Sequence, residues 1–299
     1  MNVGFVGLGN IGNPCARVLC EKSFAVTVFD LNKNQAQNLL EKGARWANSL
    51  ADLAKQENII LMSLPGPAEV ETVVRELLSH CKPGTVLIDL STNSISTVQR
   101  LYKACASQQV SFIDSPVSGG AWAATSGELT LMPSGDQNAY DKVKPVLDAI
   151  GKHVEFLGKS GTGTLIKLIN NQVFICSGLI FQEGLLMAAK AGLDLPTFYK
   201  ILKRSSGGFY MPLTDITVQR MWEKEQSSYA LALAEKDVGL ALESARDLKV
   251  PAAVTAAAHQ VLVSAVAHGL GEKFYFASME AMEQNANVTF EKFDPNAKK

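Results

Sequence analysis

Residues 161–172 read GTGTLIKLINNQ, which sets a lysine, Lys167, among Leu165, Ile166, Leu168 and Ile169. In a helix, side chains three and four positions apart share a face, so Lys167, Asn170 and Asn171 form one polar patch, with Gly163 a turn earlier. The remaining faces are apolar, as in a central buried helix. An ammonium buried without partners loses its proton or destabilises the fold, so the patch must meet something polar. Two readings satisfy that demand. On periodicity alone, a lysine stretching to solvent from the end of a packed helix is the commoner arrangement. The alternative is chemical: a desolvated amine gives and takes protons near neutrality, and Asn171 beside it can bond the reacting oxygen or the amine and fix the geometry.

A second constellation suits phosphate. Gly7, Leu8, Gly9, Asn10, Ile11 and Gly12 spell GLGNIG directly after a strand-like run and at the mouth of a helical pattern. Glycines there permit a tight turn, close approach of a pyrophosphate and close helix packing, while the helix N-terminus supplies unpaired N–H groups and positive potential. Asp30 ends the second strand-like run, 18 residues beyond Gly12. A carboxylate at that point accepts bonds from adenosine ribose hydroxyls and repels a 2′-phosphate, which favours NAD(H) and leaves NADP(H) as the alternative. The same carboxylate is also suited to capping a helix that starts near Asn32. A third group lies in DSPVSGG (114–120), where Ser118, Gly119 and Gly120 offer a hydroxyl and approachable backbone N–H groups for a carboxylate. An isolated Ser-Gly-Gly is equally an ordinary turn.

These groups need elements to position them. NVGFV (2–6), AVTVFD (25–30), NIILMSL (58–64), TVLIDL (85–90) and VSFID (110–114) are strand-length apolar runs, separated by amphipathic stretches such as 68–79 and 94–107. The alternation predicts an α/β fold: a doubly wound, mostly parallel Rossmann-type sheet covered on both faces, with ELTLM (128–132) and HVEFL (153–157) extending it around a helix over 137–150. Ligands of such sheets bind beyond the carboxyl ends of the strands, where DLST (89–92) and DSPVSGG fall. After Gly163 the patterns are helical, over 165–191, 195–203, 229–248 and 252–267, so the expected division is 1–162 for dinucleotide binding and 163–299 for an all-α substrate and oligomerisation domain. SSGGFY (205–210) reads as a loop, with Phe209 and Tyr210 placed either to close over a small substrate or to join a core.

Composition narrows the partners. The 299 residues carry a formal net charge of −1 with scattered basic residues, which argues against nucleic acid. Five cysteines without a CxxC pair suit free thiols in a reducing, cytoplasmic setting, and the four histidines have no ligand spacing, so no metal site is expected. The alanine-rich stretch 250–270 is broken by His259, Gln260 and His268 and reads as a packed helix rather than a membrane span.

With GLGNIG, DLST, DSPVSGG, GTGTLIKLINN (161–171) and AEKDVGLAL (234–242) in this order, the chain resembles the β-hydroxyacid dehydrogenase family over roughly residues 1–285. The resemblance implies reversible hydride transfer between NAD(H) and a short 3-hydroxy acid or its semialdehyde, 3-hydroxyisobutyrate-like, in a homodimer or homotetramer. It implies Lys167 as general acid/base, with Ser118, Gly119, Gly120 and Asn171 on the substrate, and Thr92, Leu64, Pro65 and Lys236 against the cofactor. An NADPH-preferring reductase of glyoxylate, succinic or tartronate semialdehyde is the alternative activity. A dinucleotide-binding module without catalysis is the alternative class, and it would have no need of Lys167 with Asn171. By sequence alone, Lys236 is also suited to pairing with Glu235 or Asp237. The chain departs from the family pattern at Ile11, where methionine is usual, and at Pro133 and Ser134, where a valine-glycine pair is usual and no expected contact is touched. Asn170 stands where related phosphogluconate dehydrogenases carry histidine, which argues against a sugar phosphate.

Overall fold

The computed structural model describes residues 1–210 and 229–288, without the side chains of residues 209 and 210. It comprises two compact units, Met1–Lys167 and Leu168–Lys299. In the first, β1 (Asn2–Val6), β2 (Ala25–Phe29), β3 (Arg45–Trp46), β4 (Ile59–Met62), β5 (Val86–Asp89) and β6 (Ser111–Asp114) form one sheet in the order β3-β2-β1-β4-β5-β6, every pair parallel. Consecutive side chains point to opposite faces, and both faces are buried, which is why these strands read as unbroken apolar runs. Val3, Phe5, Leu61 and Ile88 pack with Leu19 of α1 (Gly12–Glu21) and Val143 of α7 (Gln137–Ile150). Val6, Ile60, Met62 and Leu87 pack with Leu53 of α3 (Leu50–Gln56), Val74 of α4 (Pro67–Leu78) and Val98 of α5 (Ile95–Ala106). Two shorter helices, α2 (Gln37–Leu40) and α6 (Gly120–Ser126), complete the crossovers.

Three details differ from the sequence reading. The two-residue edge strand β3 is too short to leave a periodic signal. ELTLM and HVEFL do not extend the main sheet: β8 (Leu129–Leu131) lies in a second sheet, antiparallel to β7 (Val117–Ser118) and parallel to β9 (Gly151–Val154). Pro116 and Pro133 lack the N–H a continuous ladder needs, and between β6 and this second sheet runs the single bridge Asp114–Ser134. Finally, residues 206–210 form a 3₁₀ turn where a loop is expected, and the side chains of Phe209 and Tyr210 lie outside the described residues.

The long helix α8 (Thr162–Lys190) starts in the first unit and continues into the second. There its Ile175, Leu179, Phe181 and Leu185 share a core with Tyr199 of α9 (Leu195–Arg204) and with residues of α10 (Leu231–Asp247), α11 (Ala253–Ala265) and α12 (Ser278–Ala286). Asp194 caps α9 by accepting from the Thr197 N–H, with Pro196 in the first turn. Gly178 lets α8 approach Phe276: a Cβ there would lie 2.6 Å from the ring. The segments Thr162–Lys190 and Ala253–Leu270 are long and apolar enough to cross a membrane by length and composition, and half of the most apolar window of the first is buried within the protein. The other side of α8 is not buried as expected: Ile169, Val173, Ile180 and Met187 are 49%, 61%, 62% and 74% exposed.

Candidate active site

At the end of β1 the chain turns sharply. Gly7 has φ +85°, and a Cβ there would sit 2.3 Å from the Ser63 carbonyl oxygen. A Cβ on Gly12 would sit 1.9 Å from the Gly7 carbonyl oxygen, so only glycine lets α1 begin this close to the strand. Above Gly9 the space is open, and no side chain caps α1 or places a negative charge in its first turn. An open polar cleft of about 560 Å³ adjoins the loop, lined among others by Asn10, Asn13, Asn34 and Gln35. Bare glycine backbone under open space at an uncapped helix start fits a dinucleotide pyrophosphate. Leu8 and Ile11 brace the loop from below, Leu8 fully buried and Ile11 packed at the edge of the core. Asp30 does more than either reading of it supposes. Its Oδ2 accepts from the Leu8 N–H at 2.7 Å and its Oδ1 from the Asn32 N–H at 2.8 Å, so it holds the glycine loop and caps its own turn at once.

The carboxyl ends of β4, β5 and β6 stand abreast, with Met62, Asp89 and Asp114 in register. Asp89 is buried and accepts from the Ser91 N–H and the Asn93 amide, both at 3.0 Å. Ser91 Oγ in turn accepts from the Leu64 N–H at 2.9 Å, which couples the Leu64-Pro65 loop to the loop that carries Thr92. Burial drives the Asp89 carboxyl up from 3.8 to about 6; bonds from Ser91 and Asn93 oppose that rise, and neighbouring Asp114 adds to it. On the next loop, Ser118 is half-buried at the end of β7, and Gly119 and Gly120 follow with φ +120° and +66°, backbone angles that favour glycine, and both are exposed.

Asp114 is the residue whose importance the sequence reading missed. It is 1% exposed, yet its Oδ1 accepts from Gly161 N–H (3.0 Å) and Ser160 Oγ (3.2 Å). Its Oδ2 accepts from Ser134 Oγ (2.8 Å), Thr164 N–H (3.1 Å) and Thr164 Oγ1 (2.9 Å). Burial raises its pKa, and these donors work against the rise. Ser134 does make a contact, contrary to expectation: besides bonding Asp114, its Oγ accepts from the Gly163 N–H at 3.0 Å. Gly163 is packed so tightly that a Cβ would meet the Met132 carbonyl oxygen at 1.9 Å. The first turn of α8 is thereby clamped to β6 and the second sheet, and half-buried Lys167 follows one residue-triplet later in the same unit.

In the second unit, Asn171 is 6% exposed and donates from Nδ2 to Asp237 Oδ2 at 2.6 Å, where Tyr229 OH also donates at 2.8 Å. Lys236 Nζ lies 2.9 Å from Asp237 Oδ1 as an ion pair rather than an aligned hydrogen bond. Burial first and the Asp237 charge second push the Tyr229 phenol well above its usual range. AEKDVGLAL does hold this cluster, but helical spacing alone does not reveal that Asp237 faces Asn171.

Residues 2–158 match the NAD binding domain of 6-phosphogluconate dehydrogenase, and residues 161–280 match the NAD-binding domain of NADP-dependent 3-hydroxyisobutyrate dehydrogenase. The chain is 34% identical to 2-(hydroxymethyl)glutarate dehydrogenase of Eubacterium barkeri, over 97% of each chain. It belongs to the β-hydroxyacid dehydrogenase family. Rat mitochondrial 3-hydroxyisobutyrate dehydrogenase is 31% identical, over 94% of this chain and 87% of its own. A solved 3-hydroxyisobutyrate dehydrogenase from Salmonella typhimurium superposes with a TM-score of 0.84 at 28% identity, covering 94% of this chain and 99% of that one. As a member of this family the chain is an NAD(P)-dependent 3-hydroxyacid dehydrogenase.

The buried Asp89 carboxyl gives a signed pH prediction. Folded, it keeps its proton up to about pH 6; unfolded, it releases it near 3.8. Its contribution to stability is therefore full below the lower value and is lost as pH rises through the higher one. Asp89→Asn removes that loss. The melting temperature of the variant minus that of the parent should climb between pH 4 and 6 and level off above, and a difference that stays flat over this window contradicts the assignment.

Proposed function

We propose that the chain interconverts a short 3-hydroxy acid and its semialdehyde with NAD(H), Lys167 handling the proton. The observation that carries this reading is the clamped start of α8, which sets Lys167 at a defined place in the unit that holds the glycine loop and the Leu64, Thr92 and Ser118 loops. When bound, the nicotinamide accepts a hydride from the alcohol carbon or returns it to the aldehyde. In oxidation, the Lys167 amine takes the alcohol proton; in reduction, its ammonium protonates the developing alkoxide. Ser118 Oγ and the Gly119-Gly120 backbone bind the substrate carboxylate, and Asn171, steadied by Asp237, bonds the reacting oxygen.

The names of the relatives bear on substrate. 3-Hydroxyisobutyrate and 2-(hydroxymethyl)glutarate share a 3-hydroxypropanoate core and differ at the C2 substituent, so a C2-substituted 3-hydroxypropanoate is the class we assign to this chain. Lys167→Ala should retain dinucleotide affinity, read by quenching of NADH fluorescence, while kcat falls by roughly two to four powers of ten. Near-parental turnover in the folded variant refutes the proton role.

For the coenzyme, we infer a preference for NAD(H). Asp30 stands at the end of β2, no lysine or arginine lines the polar cleft, and Lys33, the nearby cation, lies 5.6 Å from the Trp46 ring centre. The expected result is a higher kcat/KM with NADH than with NADPH in the reductive direction; the reverse ratio moves the chain to the NADPH-linked reductases.

We further propose a homodimer or homotetramer. Ile169, Val173, Ile180 and Met187 recur at intervals of four, seven and seven along α8 and form an exposed apolar stripe of the kind that self-association covers. Sedimentation equilibrium at micromolar concentration should give a dimer or tetramer mass, shifted toward monomer by Ile180→Glu. A parent chain that sediments as a monomer rules the assembly out.

A further inference from the structure

Ser134 lies in the loop between Pro133 and Gly135, and the structure gives it a job. Its hydroxyl is fully buried and bridges two groups, donating to Asp114 Oδ2 at 2.8 Å and accepting from the Gly163 N–H at 3.0 Å. Asp114 receives five donors, three of them from Gly161 and Thr164, so that both of its oxygens are committed to the turn that opens α8. Gly163, between those residues, rests on the Met132 carbonyl with no room for a side chain. A helix start held by a buried carboxylate, a buried hydroxyl and a backbone contact has little freedom to tilt, and an amine less than one turn beyond inherits that restriction.

We propose that Ser134 is a positioning residue of this enzyme: with Asp114 it fixes the first turn of α8 and thereby the placement of the Lys167 amine. The inference rests on the proton role of Lys167 proposed above. Among the described residues the hydrogen bonds of Ser134 go to Asp114 and Gly163, and not to the glycine loop or the Leu64 and Thr92 loops, so its expected effect falls on the chemical step and not on coenzyme affinity. Ser134 also differs from the carboxylate in what its loss removes: alanine leaves Asp114 with four of its five donors and takes one acceptor from the Gly163 N–H.

The test compares Ser134→Ala with Thr164→Val, which removes a different hydroxyl from the same carboxylate, and with Lys167→Ala. All are assayed well below their melting temperatures, with the dinucleotide Kd measured alongside. A displaced amine costs turnover steeply, so each of the first two variants should lose about tenfold in kcat while the dinucleotide Kd stays within about twofold of the parent. A purely structural role would lower the melting temperature and leave kcat per folded molecule unchanged, and that outcome overturns the proposal. So does a loss that falls on dinucleotide Kd with kcat intact. If Ser134→Ala turns over normally while Lys167→Ala is inactive, the positioning claim alone fails; if Lys167→Ala is itself active, the proton role fails and the positioning claim falls with it.

Discussion

The buried carboxylate of Asp114 is the joint on which the first unit depends. It closes the last strand of the parallel sheet, opens the Ser118-Gly119-Gly120 loop four residues later, and receives the first turn of α8. Removing a charge from water is costly, and that cost is offset only when the remaining lone pairs are satisfied. Here five donors meet two oxygens, drawn from two separate stretches of chain, Ser134 and residues 160–164. The group is therefore expensive to displace and specific about what surrounds it, which are the properties a positioning element needs.

Asp89 shows the same residue type under a different balance. It lies beside Asp114 in register on the neighbouring strand, fully buried, and among the described residues its donors come from Ser91 and Asn93. Burial is the largest cause at both carboxyls and raises both; at Asp89 the adjacent Asp114 adds to it, and the pKa rises to about 6. The two residues thus divide the work: Asp114 anchors the helix that bears Lys167, and Asp89 shapes the loop through Thr92 and, by way of Ser91, the loop at Leu64. Both tasks arise from one constraint, that parallel strands end together and their following loops converge.

What the sequence disclosed follows from which forces act locally. The strands and the helices over 67–78, 95–106 and 137–150 were legible because a two-sided sheet demands apolar runs and its crossovers demand amphipathic stripes. The glycine loop was legible because its steric needs, such as the 1.9 Å approach at Gly12, admit one residue type. The second sheet was not, since which edge a short strand joins depends on where two prolines interrupt the ladder. Ser134 was not, since a serine in a loop carries no periodic mark and its partners lie 20 and 29 residues away. The burial of α8 was overestimated because exposed and buried apolar residues of one helix are written alike.

The helix that carries Lys167 is continuous through Asn171. Lys167 closes the first unit and Asn171 belongs to the second, yet both lie on a single helix that runs from Thr162 to Lys190 with no proline in it. Four residues of α-helix rise about 6 Å and bring the chain back to the same side. The amine and the amide are thus held one turn apart by backbone hydrogen bonds. Each is then fixed from its own side, Lys167 through the clamp at Asp114 and Ser134, Asn171 through the buried Asp237 that also receives the Tyr229 hydroxyl. Each of these local arrangements commits a buried carboxylate to several donors, and hydrogen bonds to a charged acceptor are worth more than neutral ones.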